Sequence, residues 1–552
     1  MKKQLWFVLS MGILFGFVLA KSTVPITHSD VQTAQKLFNL HFEGAAIDTM
    51  LQYLEGNRKA YDSMRTFHLG NAIAPALIFD PFPLGFSIKP NNGINNWKIN
   101  LEAKLPSNMD DLAFFSIRDL AGLIKTKQIS SLELTKFYLD RIKKFDTKLL
   151  AFVTVTEELA LQQAKKADEE LTNGLYRGPL HGIPYGVKDL AALPGYPTTW
   201  GAAPYQDQVI NVTATVVKKL EEAGAVLLGK LVSGSLARGD VWFGGKTKNP
   251  WDLEQGASGS SAGSGSATAA GLVAFSIGTE TLGSIVSPST RTGSTGLRPT
   301  YGAVSKHGFM VLSWSMDKVG PICRTANDCA IVFDYIRGQD GLDKTVKNAA
   351  FEYRESPDLK KLKVAYFKDL FDKDTSNISI NHQKTLKEFE FLGIKPDSVS
   401  LPDNFPFSVF DIILRAESGA FFDELVLSGN VDKMVEQHKG SRANSLRQSR
   451  FIPAVEYLQA NRHRSKLIEE FHNLIKEYDV IISPTFGGRQ MLITNLTGHP
   501  ALSLPNGFDQ KGRPTSITLI GNYFGEESLI ALAEAYQNKY FYHGLVPKGL
   551  VE

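Results

Sequence analysis

The chain has 552 residues, and its 60 lysines and arginines nearly balance its 57 aspartates and glutamates, for a formal net charge of +3. A chain so nearly balanced gives no sign of nucleic acid or an anionic membrane surface as partner, and excludes a strongly basic or acidic protein. Hydrophobic residues at 43 % and charged residues at 21 % are those of a folded chain, long enough for one large domain or two to three ordinary ones.

Residues 1–20, MKKQLWFVLSMGILFGFVLA, set two lysines before an uncharged apolar run. The pattern predicts a secretory signal peptide with cleavage after Val18-Leu19-Ala20, hence a periplasmic or secreted protein. An uncleaved N-terminal anchor is the rival reading. Residues 29–70 carry helical periodicity, 74–90 are Pro-rich and extended, and NNGINNW is turn-like. Residues 21–110 therefore read as an accessory N-terminal segment, and 111–552 as the main domain. From Ser116 two helices are expected, the second opening at Ser130 with Glu133 three residues on, a capping box. A further helix closes at Gly174. GIPYGVKDL (182–190) reads as a strand, and ATVVKKLEEAGAVLLGKL (214–231) as a helix, a Gly and a buried strand. KNPWDLEQ reads as loop. Residues 256–271, GASGSSAGSGSATAAG, are Gly, Ala or Ser except for Thr268. Such a composition is that of a flexible linker, but the stretch runs into the apolar strand of LVAFSIGTETLGSIVSPS, so its small residues point to close packing.

Thr325 in RTANDCA reads as a helix N-cap. Cys323 and Cys329, six apart there, should face different sides as two buried thiols. KLKVAYFKD is a strand, RSKLIEEFHNLIKEYDVIISPT a helix then a strand, and TSITLIGNYFGEESLIALAEAYQNKY a strand then a helix. A mostly helical stretch from about 375 to 475 could cap a site. Alternating helices and strands imply an α/β fold, a sheet with helices on both faces.

Three short motifs compete for the chemistry. GAVLLGKL (224–231) has P-loop spacing, but Leu231 follows the lysine where Ser or Thr is required. GSSAG (259–263) matches a nucleophile elbow centred on Ser261, yet PWDLEQGAS before it is not read as the strand that motif needs. The third pattern is longer. Lys188 ends an apolar strand, Ser260 follows in SGSSAGS, and Ser284 in GTETLGSI. A serine hydroxyl needs a base to become a nucleophile. A lysine whose pKa is lowered by burial can be that base. A second hydroxyl, which both donates and accepts, can relay the proton between them.

These residues resemble the amidase signature family of serine hydrolases. SGSSAGS is similar to the family's G-G-S-S-G-G-S, and GTETLGSIV (278–286) to its G-T-D-x-G-G-S-I-R. GLRPTYGAVSKHG and SWSMDKVGPI look like the segments that follow. The resemblance implies an α/β/α sandwich around a mixed central sheet. It implies a Ser-Ser-Lys triad in which Ser284 is the nucleophile, Ser260 the bridge and Lys188 the base. Backbone N–H groups of Thr281, Leu282, Gly283 and Ser284 would form the oxyanion hole. Ser258, Ser261, Ser264 and Ser266 read as packing or capping hydroxyls. No metal and no organic cofactor is implied, and the expected partner is a small-molecule amide rather than a nucleic acid or a membrane.

The chain departs from the family in places. Glu280 stands for the usual Asp, Val286 for the usual Arg and Leu282 for a Gly. GKLVSGSLARGD (229–240) lacks the polar Asn and Glu often found there. The expectation is an exported amidase that hydrolyses a carboxamide or acyl-amide. The alternatives are an esterase on the same fold, a glutaminase-type amidotransferase subunit, or an inactive member that only binds.

Overall fold

The computed structural model describes residues 25–67, 73–91 and 93–550; the expected signal peptide lies outside them. The described residues fall into two compact units, one ending at Ile73 and the other beginning at Ala74. The first holds two helices, His28–Phe38 and Gly44–Arg65, with His28 Nδ1 2.8 Å from Asp48 Oδ1 between them.

Residues 74–110 belong with the second unit. The Asn95 and Trp97 N–H groups donate to Asp334 Oδ2 at 2.8 and 2.9 Å, and Arg337 Nε donates to Asp334 Oδ1 at 2.8 Å. The unit boundary therefore falls at 73/74. The stretch reads as accessory in the sequence because extended chain without periodicity carries no sign of what it packs on.

Eleven strands form the main sheet of the second unit. In chain order they are β1 (Phe152–Val155), β2 (Pro184–Lys188), β3 (Val226–Leu231), β4 (Phe275–Glu280), β5 (Thr295–Arg298), β6 (Lys318–Cys323), β7 (Val364–Phe367), β8 (Asp397–Val399), β9 (Val480–Pro484), β10 (Ala501–Phe508) and β11 (Pro514–Gly521). The spatial order is β1-β3-β2-β4-β6-β5-β10-β11-β9-β7-β8. β2 runs parallel to both its neighbours, β3 and β4, while β6 returns antiparallel to β4. The sheet is thus mixed, an α/β architecture as expected. Every residue of β2, β3, β4 and β6 is buried. That is why β2, β3 and the first part of β4 read as apolar runs rather than alternating ones: both their faces are covered.

Local signals hold where they rest on caps. Ser130 Oγ accepts the Glu133 N–H at 3.1 Å, and Glu133 Oε2 accepts the Ser130 N–H at 2.8 Å, opening the helix Ser131–Leu149. Thr325 Oγ1 accepts the Asp328 N–H at 3.0 Å to open Ala326–Ile336. Residues 375–475 are mostly helical, with β8 as an edge strand among the helices. Two expectations need correction. KNPWDLEQ is not loop throughout: Lys248–Asn249 and Asp252–Gly256 form a short antiparallel ribbon. The free thiols of Cys323 and Cys329 are buried but do not face apart; Cys323 on β6 and Cys329 on the helix lie close enough to raise the pKa of the Cys323 thiol beyond what burial does, because the chain folds back at Arg324, and Cys329 Sγ donates to Thr295 O at 3.4 Å.

Candidate active site

The small-residue stretch is a buried helix, Ala262–Ala269, laid across the sheet. Its hydroxyls fasten it down. Ser264 Oγ donates to Ile277 O at 3.1 Å, Ser276 Oγ to Ser264 O at 3.0 Å, and Ser266 Oγ to Lys248 O at 2.8 Å. A Cβ on Gly263 would lie 2.2 Å from Ala151 O and 2.3 Å from Val232 N. The composition is set by backbone-to-backbone packing, not by flexibility.

The turn before this helix carries Ser260, 1 % exposed. Lys188, the last residue of β2, is fully buried and brings Nζ to 2.8 Å from Ser260 Oγ and 2.9 Å from Thr279 Oγ1 on the adjacent β4. Among the described residues Lys188 forms no ion pair. Burial, only partly offset by the charges of Asp317 and Glu280, lowers its pKa to about 7.

Ser284 lies at the end of the loop that follows β4. Its carbonyl accepts the Ser261 N–H at 3.2 Å, which ties the two serine segments together. Ser284 Oγ makes no hydrogen bond to any described residue, and the residue is 8 % exposed, so this hydroxyl is the accessible one. Glu280 shapes the loop. Its Oε2 accepts the N–H groups of Ile285 and Val286 at 2.8 and 2.9 Å, whereas those of residues 281–284 make no hydrogen bond among the described residues. Thr281 Oγ1 donates to Asp317 Oδ1 at 2.5 Å, fixing the other side. Gly283 has φ +83°, and a Cβ there would fall 2.6 Å from Met491 Sδ. Leu282 is 38 % exposed.

Ser261 has a different place. Its Oγ donates to Thr279 O at 3.1 Å and accepts the Thr279 N–H at 3.1 Å, and it is fully buried. Among the described residues no histidine bonds to it. This bonding opposes the elbow reading, and the strand before it ends at Gly256, five residues ahead of Ser261.

A model of the family described as amidase matches residues 133–494. The chain belongs to the amidase family. Among relatives, a glutamyl-tRNA(Gln) amidotransferase subunit of Carboxydothermus hydrogenoformans is 32 % identical over 487 residues, 79 % of this chain and 100 % of the relative. The corresponding subunit of a Marinomonas species is 35 % identical over 480 residues, covering 78 % and 98 %. Similar solved structures include the peptide amidase of Stenotrophomonas maltophilia, with 26 % identity and a TM-score of 0.68 over 78 % of this chain and 98 % of that one. The glutamyl-tRNA(Gln) amidotransferase subunit of Thermotoga maritima gives 26 % and 0.66 over 83 % and 100 %.

In this member of the amidase family, the departure at Glu280 has a local counterpart. Arg298 Nη1 on β5 and Asn495 Nδ2 donate to Glu280 Oε1 at 2.8 and 2.9 Å. Burial alone would raise this carboxyl; Arg298 and the backbone N–H groups bring it down to about 2. Thr279, Asp317, Arg298 and Asn495 were not predicted as site residues. Only Thr279 had a readable signal, as a polar residue two positions beyond the last apolar one of an apolar strand.

Proposed function

We propose that this amidase cleaves a carboxamide C–N bond through an acyl-serine intermediate. Ser284 Oγ attacks the carbonyl carbon. Its proton passes to Ser260 as Ser260 gives its own to the lone pair of neutral Lys188. The N–H groups of residues 281–284 receive the oxyanion. The proton then returns from Lys188 through Ser260 to the leaving nitrogen, the C–N bond breaks, and ammonia or an amine departs. Water attacks the ester by the same route and releases the carboxylate. The observation that carries this reading is Lys188, buried, without an ion pair among the described residues, and 2.8 Å from Ser260 Oγ. The same chemistry cleaves esters, so the test is a hydrolysis screen over amides of graded acyl length with matched ester controls. Turnover of none of them, together with no reaction with a fluorophosphonate, would leave only a binding role.

A second reading is favoured by the relatives, which are named as amidotransferase subunits and matched over nearly their whole length. Here glutamine is the amide, and the ammonia passes to an acceptor held with a partner subunit. Glutamine turnover that rises only with a co-purified partner supports it; full turnover of simple amides by the isolated chain opposes it. Residues 1–20 support export, which counts for the first reading and against this second one; N-terminal sequencing of the fractionated protein should place the mature start near Lys21, and a cytoplasmic protein retaining Met1 would favour the amidotransferase.

A further inference from the structure

The loop of residues 232–240, where the sequence departs from the polar residues of the family, lies directly on the Ser260 turn. The Gly234 N–H donates to Ser260 O at 3.1 Å. A Cβ on Gly259 would fall 1.8 Å from Gly239 O, so no side chain separates the two backbones. Asp240 Oδ2 accepts the Ser258 N–H at 2.9 Å. Where this loop sits sets where Ser260 sits relative to Lys188.

The loop is not in a relaxed conformation. Leu236 and Ala237 are consecutive residues with φ of +46° and +59°, the left-handed region that a Cβ disfavours. Such a pair persists only where the surroundings hold it. On one side the Leu236 N–H donates to Trp200 O at 2.9 Å. On the other, Arg442 holds the carbonyls: Nε donates to Leu236 O at 3.1 Å and Nη2 to Ala237 O at 3.3 Å.

Arg442 opens the helix Arg442–Ser449 in the segment that packs over this side of the sheet, and it is 6 % exposed. Among the described residues it forms no ion pair; its charge meets carbonyl dipoles instead. Burial, with Arg238 adding to it, pulls the guanidinium down to about 10. A buried cation that meets carboxylates only at a distance, Asp317 and Asp411, and in no contact ion pair among the described residues is a costly way to pack a helix, while a planar fork of donors suits two adjacent carbonyls.

We propose that Arg442 is a positioning residue, whose guanidinium keeps the left-handed loop seated against Ser260 and so couples the helical segment to the proton relay. This rests on Ser260 as the relay. The test compares Arg442→Gln, Arg442→Lys and Ser260→Ala for kcat, KM, fluorophosphonate labelling rate and thermal unfolding, with rates taken per folded molecule. Arg442→Gln should lose about 10- to 100-fold in kcat and labelling rate with KM little changed, the cost of a misplacement of about 1 Å. Arg442→Lys should recover part of it. If Arg442→Gln lowers only the unfolding temperature and keeps kcat while Ser260→Ala is slow, the role of Arg442 is overturned alone. If Ser260→Ala is as fast as wild type, the relay is overturned, and the route through which Arg442 acts goes with it.

Discussion

At the scale of single residues, Lys188 makes the sharpest claims. Its pKa of about 7 comes from burial, so the amine is protonated below that pH and unable to accept from Ser260. The acid limb of kcat/KM should therefore rise through about pH 7 and level off above it, as read from a pH–rate profile. Lys188→Ala should cost about 10²- to 10⁴-fold in kcat. Lys188→Arg should not rescue it, because a guanidinium stays protonated. The serines separate in the same way. Ser284→Ala should abolish fluorophosphonate labelling. Ser261→Ala should leave it largely intact, since its Oγ is occupied by both backbone groups of Thr279. Peptide mapping of the adduct decides between them, and an adduct on Ser261 would overturn the assignment. Glu280 bears on stability as well. Its pKa in the fold is about 2 against an ordinary 4.5. Its contribution is present in full above about 4.5 and is lost as pH falls toward 2. Glu280→Gln leaves Arg298 buried without its counter-charge and should destabilise by about 3–5 kcal/mol in denaturant unfolding.

At the scale of elements, the buried small-residue helix shows what a sequence can and cannot say. Its composition alone reads as a tether; the apolar run that follows it is what identifies packing. Lys188, Ser260 and Ser284 could be singled out as candidates because each sits in a short motif of fixed spacing, and the structure brings Lys188 to 2.8 Å from Ser260 Oγ. The clasp on the loop after β4 was not, because Glu280 finds Arg298 on β5 and Asn495 215 positions away, and no local pattern encodes a partner brought in by the sheet. The ribbon of Asp252–Gly256 was missed because DLEQG has neither β-branched residues nor alternation. Packing at this level is open to test with two glycines. Gly263→Val forces a side chain onto Ala151 O and Val232 N and should cost about 1–3 kcal/mol or more. Gly56→Ala, mid-helix with nothing within 4 Å of the new Cβ, should be stabilising by about 0.5–1 kcal/mol. Chemical denaturation of the two variants checks both signs.

For the whole molecule, the two units set where the chain can be cut. A chain beginning at Ala74 should keep the unfolding transition of the large unit and its fluorophosphonate labelling. One beginning at Asp111 should lose stability, since Asn95 and Trp97 no longer satisfy the buried Asp334. The other end behaves differently. β10 and β11, residues 501–521, join β5 to β9 in the middle of the sheet, although the family match stops at residue 494. Until synthesis has passed residue 521, the strands around Lys188 and those around β9 are two separate half-sheets, each with an open edge able to pair with another chain. The nascent protein therefore cannot complete its fold stepwise from the N-terminus, and a ribosome that stalls near residue 494 releases an aggregation-prone chain rather than a smaller enzyme.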